Sequence, residues 1–198
     1  RRLTSGTDTA RELFPAWSRD GRTLAYVRWT DDGLGRIHLT GPGGGAGHIL
    51  VGAPGHYGRM AFSPDGRTLA FEIRNGGGLV SAAGAGWAGS WRVPVAGGAP
   101  VRVATGVSAP HFGADNDRIF ANAGGGGKQS LVSMDLNGEA RRTLASSDLA
   151  TDFRVSPDGR LLAFRQNYEA HVMPLLPAAQ DVAVDARGGA LPVVRVSK

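Results

Sequence analysis

One ten-residue phrase recurs along the chain: WSRDGRTLAY at 17–26, FSPDGRTLAF at 62–71 and VSPDGRLLAF at 155–164. Alignment on Asp20, Asp65 and Asp158 brings out a weaker copy, FGADNDRIFA at 112–121, with Asp115 in register. Successive aspartates stand 45, 50 and 43 residues apart. A fixed period of this length marks an array of similar supersecondary units, none of which buries its apolar face alone. The length fits a four-stranded propeller blade better than a helical or leucine-rich repeat.

The chemistry of the phrase predicts a tight hairpin. Pro64 presets φ for the second turn position, and Ser63 and Asp65 can bond nearby backbone N–H groups. Gly66 suits the left-handed conformation that closes the loop with a bulge. Arg19 replaces the proline in the first copy, and Asn116 replaces the glycine in the weak copy, where a left-handed asparagine is expected. A strand follows each turn: Leu24–Val27, Leu69–Phe71, Ile119–Phe120 and Leu162–Phe164. Large apolar residues next to Ala fit a strand covered on both faces by neighbouring sheets. A third strand is expected at Arg36–Leu39, Trp91–Val95, Leu131–Met134 and His171–Met173. Gly-rich turns and a fourth strand, such as His48–Val51 or Val101–Val103, complete each unit.

The expected fold is therefore all-β: a β-propeller fragment of about four blades, each of four antiparallel strands, open at both ends. The blades fall roughly at 10–52, 56–104, 107–145 and 150–197 within one segment, 1–198. Residues 1–5 read as the last strand of a preceding blade, and Val193–Ser197 as the last strand of the final one. The 31 glycines favour many turns over long helices. No cysteine is present, so a disulfide or thiolate metal site is excluded. The N-terminal RRLTSGTDTA lacks the apolar core of a signal peptide, and no membrane span is expected. The net charge of +5 rests mostly on arginines scattered along the chain, several just after a turn (Arg22, Arg67, Arg160). That distribution argues against a nucleic-acid partner.

The five histidines (38, 48, 56, 111 and 171) form no metal-ligand spacing. His38 and His171 fall on third strands and read as packing or surface residues. His56 and His111 are expected just before first strands, on the same face as the loops between second and third strands. That face would gather Trp29, Asp31, Asp32, His56, Tyr57, Arg59, Arg74, Asn75, His111, Lys128, Asn167, Tyr168 and Glu169. Loops on one face of a rigid scaffold commonly carry binding residues, although solvated loops would look the same. The favoured ligand or partner cluster is His56, Tyr57 and Arg59, with His111, Asp31, Asp32 and Trp29 as further candidates. AGGGGKQS at 123–130 fails as a phosphate loop, because Asn122 and Gln129 stand where Gly and Ser or Thr are needed. Asp115–Asn116–Asp117 lacks the later Gly and Glu of a calcium loop. No G-x-S-x-G elbow occurs. Trp87 and Trp91, beside the Ala/Gly-rich 81–90, read as packing under a loop. No catalytic residue and no metal ligand is assigned.

The SxDG-R-x-L-A-[YF] phrase resembles the TolB-like propeller repeat, also called the PD40 or WD40-like repeat. AWSRDGRTLAYVRWTDDGLGRIHL, APGHYGRMAFSPDGRTLAF, APHFGADNDRIF, FRVSPDGRLLAFRQNYEAHVMPL and LPVVRVSK resemble one subfamily. There, such a propeller lies N-terminal to a metal-dependent amidohydrolase domain in one exported polypeptide. The resemblance implies a non-catalytic module for scaffolding, substrate gating or protein binding. It implies a periplasmic or secreted location, and as partner a following catalytic domain of the same chain or an envelope protein. No cofactor is implied for this segment; a divalent metal is expected in the catalytic domain, whose HxH motif the 198 residues lack. Two alternatives remain open: a stand-alone periplasmic TolB-like protein-binding propeller, and the gating propeller of a prolyl oligopeptidase-type serine peptidase.

Overall fold

A computed structural model of the protein describes residues 3–4, 9–45, 47–75, 86–176, 181–188 and 191–197. The described residues form seventeen β-strands and no helix. The chain falls into two compact units, 1–105 and 106–198.

The first unit holds two antiparallel meanders. Strands β1 (Arg11–Trp17), β2 (Leu24–Thr30), β3 (Leu34–Thr40) and β4 (His48–Gly55) form one sheet in that order. Strands β5 (Tyr57–Phe62), β6 (Thr68–Ile73), β7 (Gly89–Pro94) and β8 (Val101–Ala104) form the other. One core joins them: Val27, Ile37 and Leu39 of the first sheet pack with Phe62, Leu69, Phe71 and Val93 of the second. Leu69, Ala70 and Phe71 are all buried, so β6 is covered on both faces, as its uninterrupted apolar run predicts. Each such large side chain contributes about 1.5–3 kcal/mol by leaving water. Of the stretch expected to be a preceding strand, Leu3–Thr4 is described; Thr4 makes a single parallel bridge to Gly45.

The second unit is built likewise. Strands β9 (Val107–Phe112), β10 (Arg118–Gly125), β11 (Lys128–Asp135) and β12 (Arg142–Ser147) form a meander. Strands β13 (Thr151–Val155), β14 (Leu161–Gln166), β15 (Glu169–Pro174) and β17 (Val194–Arg195) form the last sheet. Phe153, Leu162, Phe164 and Met173 pack against Leu131, Leu144 and Ala145. One strand was not expected. The two-residue β16 (Val182–Ala183) pairs in parallel with β12, giving that sheet a fifth strand.

The repeated phrase forms the same hydrogen-bonded turn three times. Ser63 Oγ donates to Asp65 Oδ1 (2.6 Å) and accepts from Thr68 N–H (3.0 Å). Asp65 Oδ1 also accepts from Arg67 N–H (3.0 Å), and Gly66 closes the loop at φ 71°. Ser18 with Asp20, and Ser156 with Asp158, repeat the pattern. These bonds hold all three aspartates below the usual carboxylate range, the serine hydroxyl first and the arginine backbone N–H second. The weak copy departs from expectation. Asn116 is not left-handed, and Gly113 stands where the other copies have serine. Without that hydroxyl the turn loses its organising acceptor.

Another device joins the sheets of the second unit. The Asn122 side chain on β10 clamps Phe153 of β13: Nδ2 donates to its carbonyl (3.0 Å) and Oδ1 accepts its N–H (2.8 Å). His111 does similar work, which corrects its expected place on an exposed loop before a strand. It lies inside β9, buried, stacked on Phe120 with ring centroids 5.9 Å apart. Its Nε2 accepts from Val155 N–H (3.0 Å), so the proton sits on Nδ1, which donates to Ala109 O (3.0 Å). Burial drives its pKa down to about 4, against the opposing bond to Ala109 and with a smaller push from Arg154.

Two outcomes follow from these contacts. Ser63→Ala leaves Thr68 N–H without its acceptor and should cost about 1–3 kcal/mol in urea unfolding; an unchanged midpoint would deny the hydroxyl its organising role. For His111 the unfolded state binds the proton more tightly. Its contribution is therefore complete above pH 6.5 and falls away as pH drops towards about 4. The loss is on the order of 3 kcal/mol. His111→Gln should flatten the unfolding free energy over that window relative to the parent chain, and identical pH profiles would overturn the assignment.

Candidate functional site

The passage from β4 to β5 turns on one residue, His56, with Tyr57 opening β5. The tight turn brings Trp29, at the end of β2, over the imidazole: the two rings lie 5.2 Å apart at 45°. The Trp29 indole N–H donates to Asp31 Oδ1 (3.3 Å), so three of the expected residues share one neighbourhood. His56 Nε2 is buried and has no hydrogen-bond partner among the described residues. A buried imidazole nitrogen left unsatisfied is costly.

Tyr57 plays a different part from the one its position suggested. Its ring is buried edge-on to Phe71, and its hydroxyl donates to Ala53 O (2.7 Å). Burial pushes the phenol pKa up to about 12, so Tyr57 remains a neutral donor that fixes the turn. Arg59, half-buried on β5, and Asp32, exposed, do not line the cavity that His56 and Tyr57 share.

That cavity, about 220 Å³, opens beside Pro54 and Gly55 and is closed by Ile73, Arg74 and Trp87. Arg74 is held twice, by its Nε bond to Glu72 Oε1 (3.0 Å) and by its guanidinium 5.3 Å over the Phe14 ring. Trp87 is 52% exposed, although its carbonyl is fixed by the Trp91 indole N–H (2.8 Å). Trp87 lies against Trp91, ring centroids 6.4 Å apart, and also forms a wall of the cavity. The available signal was a tryptophan beside Gly86 at the end of a glycine-rich stretch of sequence. Residues 76–85, which hold much of the Ala/Gly-rich stretch, lie outside the described residues.

The other loop candidates belong to the second unit. Lys128 is exposed at the end of the β10–β11 hairpin. Asn167 and Tyr168 tip the β14–β15 hairpin, both at positive φ, and Tyr168 is 99% exposed. Asn167 and Glu169 line a cavity of about 530 Å³ together with His171 and Arg195. Arg195 Nη1 donates to Glu169 Oε1 (2.6 Å), while buried His171 stacks on Phe164. Among the described residues no three metal-ligating side chains converge, and no helix is long and apolar enough to cross a membrane.

Comparison with known proteins fixes the fold. No family model and no curated protein matches the chain. Solved structures do. A TolB protein of Agrobacterium tumefaciens superposes with a TM-score of 0.70 at 16% identity, over 98% of this chain and 69% of that one. An oligogalacturonate lyase in complex with manganese gives 0.65 at 15% identity, over 91% and 56%. The β-propeller domain of the Trilobed protease from Pyrococcus furiosus, described as having an open velcro topology, gives 0.56 at 13%, over 85% and 55%. The four meandering sheets described above thus have the fold of the TolB-like β-propellers.

Proposed function

We propose that this chain is a non-catalytic propeller module that scaffolds, gates or binds the catalytic domain of a larger TolB-like amidohydrolase. The observation that carries the binding role is the aromatic cavity at the β4–β5 passage. It presents an exposed tryptophan and a firmly held guanidinium beside the His56 ring. Tryptophan, tyrosine and arginine set in a partly desolvated pocket are the composition of protein-binding hot spots. The amidohydrolase itself rests on the resemblance of the repeat and of the segments between its copies. In this reading the divalent metal belongs to the catalytic domain, and the protein works in the periplasm or is secreted.

The test has two parts. The 198-residue chain should show no metal-dependent hydrolysis; turnover by it would end the non-catalytic reading. Trp87→Ala should weaken its association with the catalytic domain by about 2 kcal/mol or more, with thermal stability preserved. Tight binding by the variant would move the interface elsewhere. Capture of an envelope protein, with no catalytic domain in the reading frame, would favour the stand-alone propeller. A G-x-S-x-G elbow there would favour the peptidase.

A further inference from the structure

Strand alternation in the second unit builds a cavity unlike the one at the β4–β5 passage. Arg118 and Phe120 are two apart on β10 and so face the same side. Ser133 of β11 lies directly opposite Phe120, and Arg142 of β12 directly opposite Ser133. These side chains form one wall of a cavity of about 350 Å³. Arg118 Nη1 donates to Ser133 Oγ (3.1 Å), which fixes that guanidinium. Leu144 and Leu175 join Phe120 in an apolar floor. Two acidic residues, Asp115 and Asp158, also line the cavity. Asp158 commits one oxygen to its own turn, through Ser156 and Arg160 N–H.

The charges do not cancel by contact. Neither arginine lies within ion-pair distance of a carboxylate among the described residues, and the side chains of Asp115 and Arg142 make no hydrogen bond there. Two cationic and two anionic residues thus line one small space, with no salt bridge between them among the described residues. A ligand bearing one charge would meet repulsion from the like-charged pair. A compact zwitterion with an apolar group would meet attraction from both, and would cover the floor as well.

We propose that this cavity binds a free α-amino acid with an apolar side chain. Its carboxylate goes to Arg118 and Arg142, its ammonium to Asp115 and Asp158, and its side chain to Phe120, Leu144 and Leu175. The α-amino acid is preferred over a peptide end, which carries only one of the two charges. The cavity is too small for a long chain but large enough for one residue and some water.

The test uses the 198-residue chain and three probes of one shape: L-phenylalanine, 3-phenylpropionate and phenethylamine. Calorimetry should show saturable binding of L-phenylalanine, weakened at least about tenfold when either charge is removed, roughly one charge-assisted hydrogen bond. Arg142→Gln should weaken L-phenylalanine and phenylpropionate alike. Asp115→Asn should weaken L-phenylalanine and spare phenylpropionate. Equal affinity for L-phenylalanine and phenylpropionate would overturn the proposal, as would no saturable binding at millimolar concentration. If a variant fails to fold, amide shifts in the parent chain decide. Changes centred on Asp115, Ser133 and Arg142 support the site, and changes elsewhere refute it.

Discussion

One serine hydroxyl organises each of three sheets, and in two of them the serine is buried. A propeller-type sheet packs both faces against neighbours, so every polar backbone group at its hairpin must find a partner inside the protein. Ser18, Ser63 and Ser156 meet that demand at the first hairpin, where the hydroxyl accepts the N–H that begins the second strand. The aspartate two residues on orients the hydroxyl and holds the arginine N–H, and the glycine turns the chain. Register follows from this knot. Once Thr68 N–H is fixed, the alternation along Leu69–Ala70–Phe71 decides which side chains enter the core.

The sheet of β9–β12 shows what replaces the knot when it is missing. Gly113 supplies no hydroxyl, and the Ala–aromatic order of the phrase is reversed to Phe120–Ala121. That sheet instead bonds across to its neighbour, through Asn122 to both backbone groups of Phe153 and through His111 to Val155 N–H. Two buried side chains hold together what a local turn holds in the other sheets. Burial, which these interior positions impose, is what drives His111 away from protonation.

Local chemistry was legible in the sequence, and contacts distant along the chain were not. The repeat announced the turns, the second strands and the meander order, because each depends on residues within about ten positions. Phe14, Ala109 and Asp152 adopt positive φ in the first strands of three sheets, yet none is glycine, so the bulges there left no mark. The parallel addition of β16 and the bond from His111 to Val155 join residues dozens of positions apart. The candidate site was half visible. His56 beside a Pro–Gly turn stood out, and Trp29 could be placed near it from the order of loops. Trp87 could not, since its exposure depends on how β7 meets the cavity wall.

The same constraint decides where function can reside. Within each unit the sheet faces are taken up by packing, so chemistry is left to the strand ends. Strand ends differ in what they offer. At the β4–β5 passage the chain brings aromatic rings and one unsatisfied nitrogen together, which suits a broad, partly apolar partner. At the β9–β10 end, strand alternation brings arginines and the turn phrase brings aspartates to the lining of one cavity, which suits a small ligand of mixed charge. Asp158 belongs to both architecture and cavity: one oxygen holds its turn while its carboxylate faces the cavity. A repeat selected for folding can in this way supply a charged group to a site without any change in its own sequence.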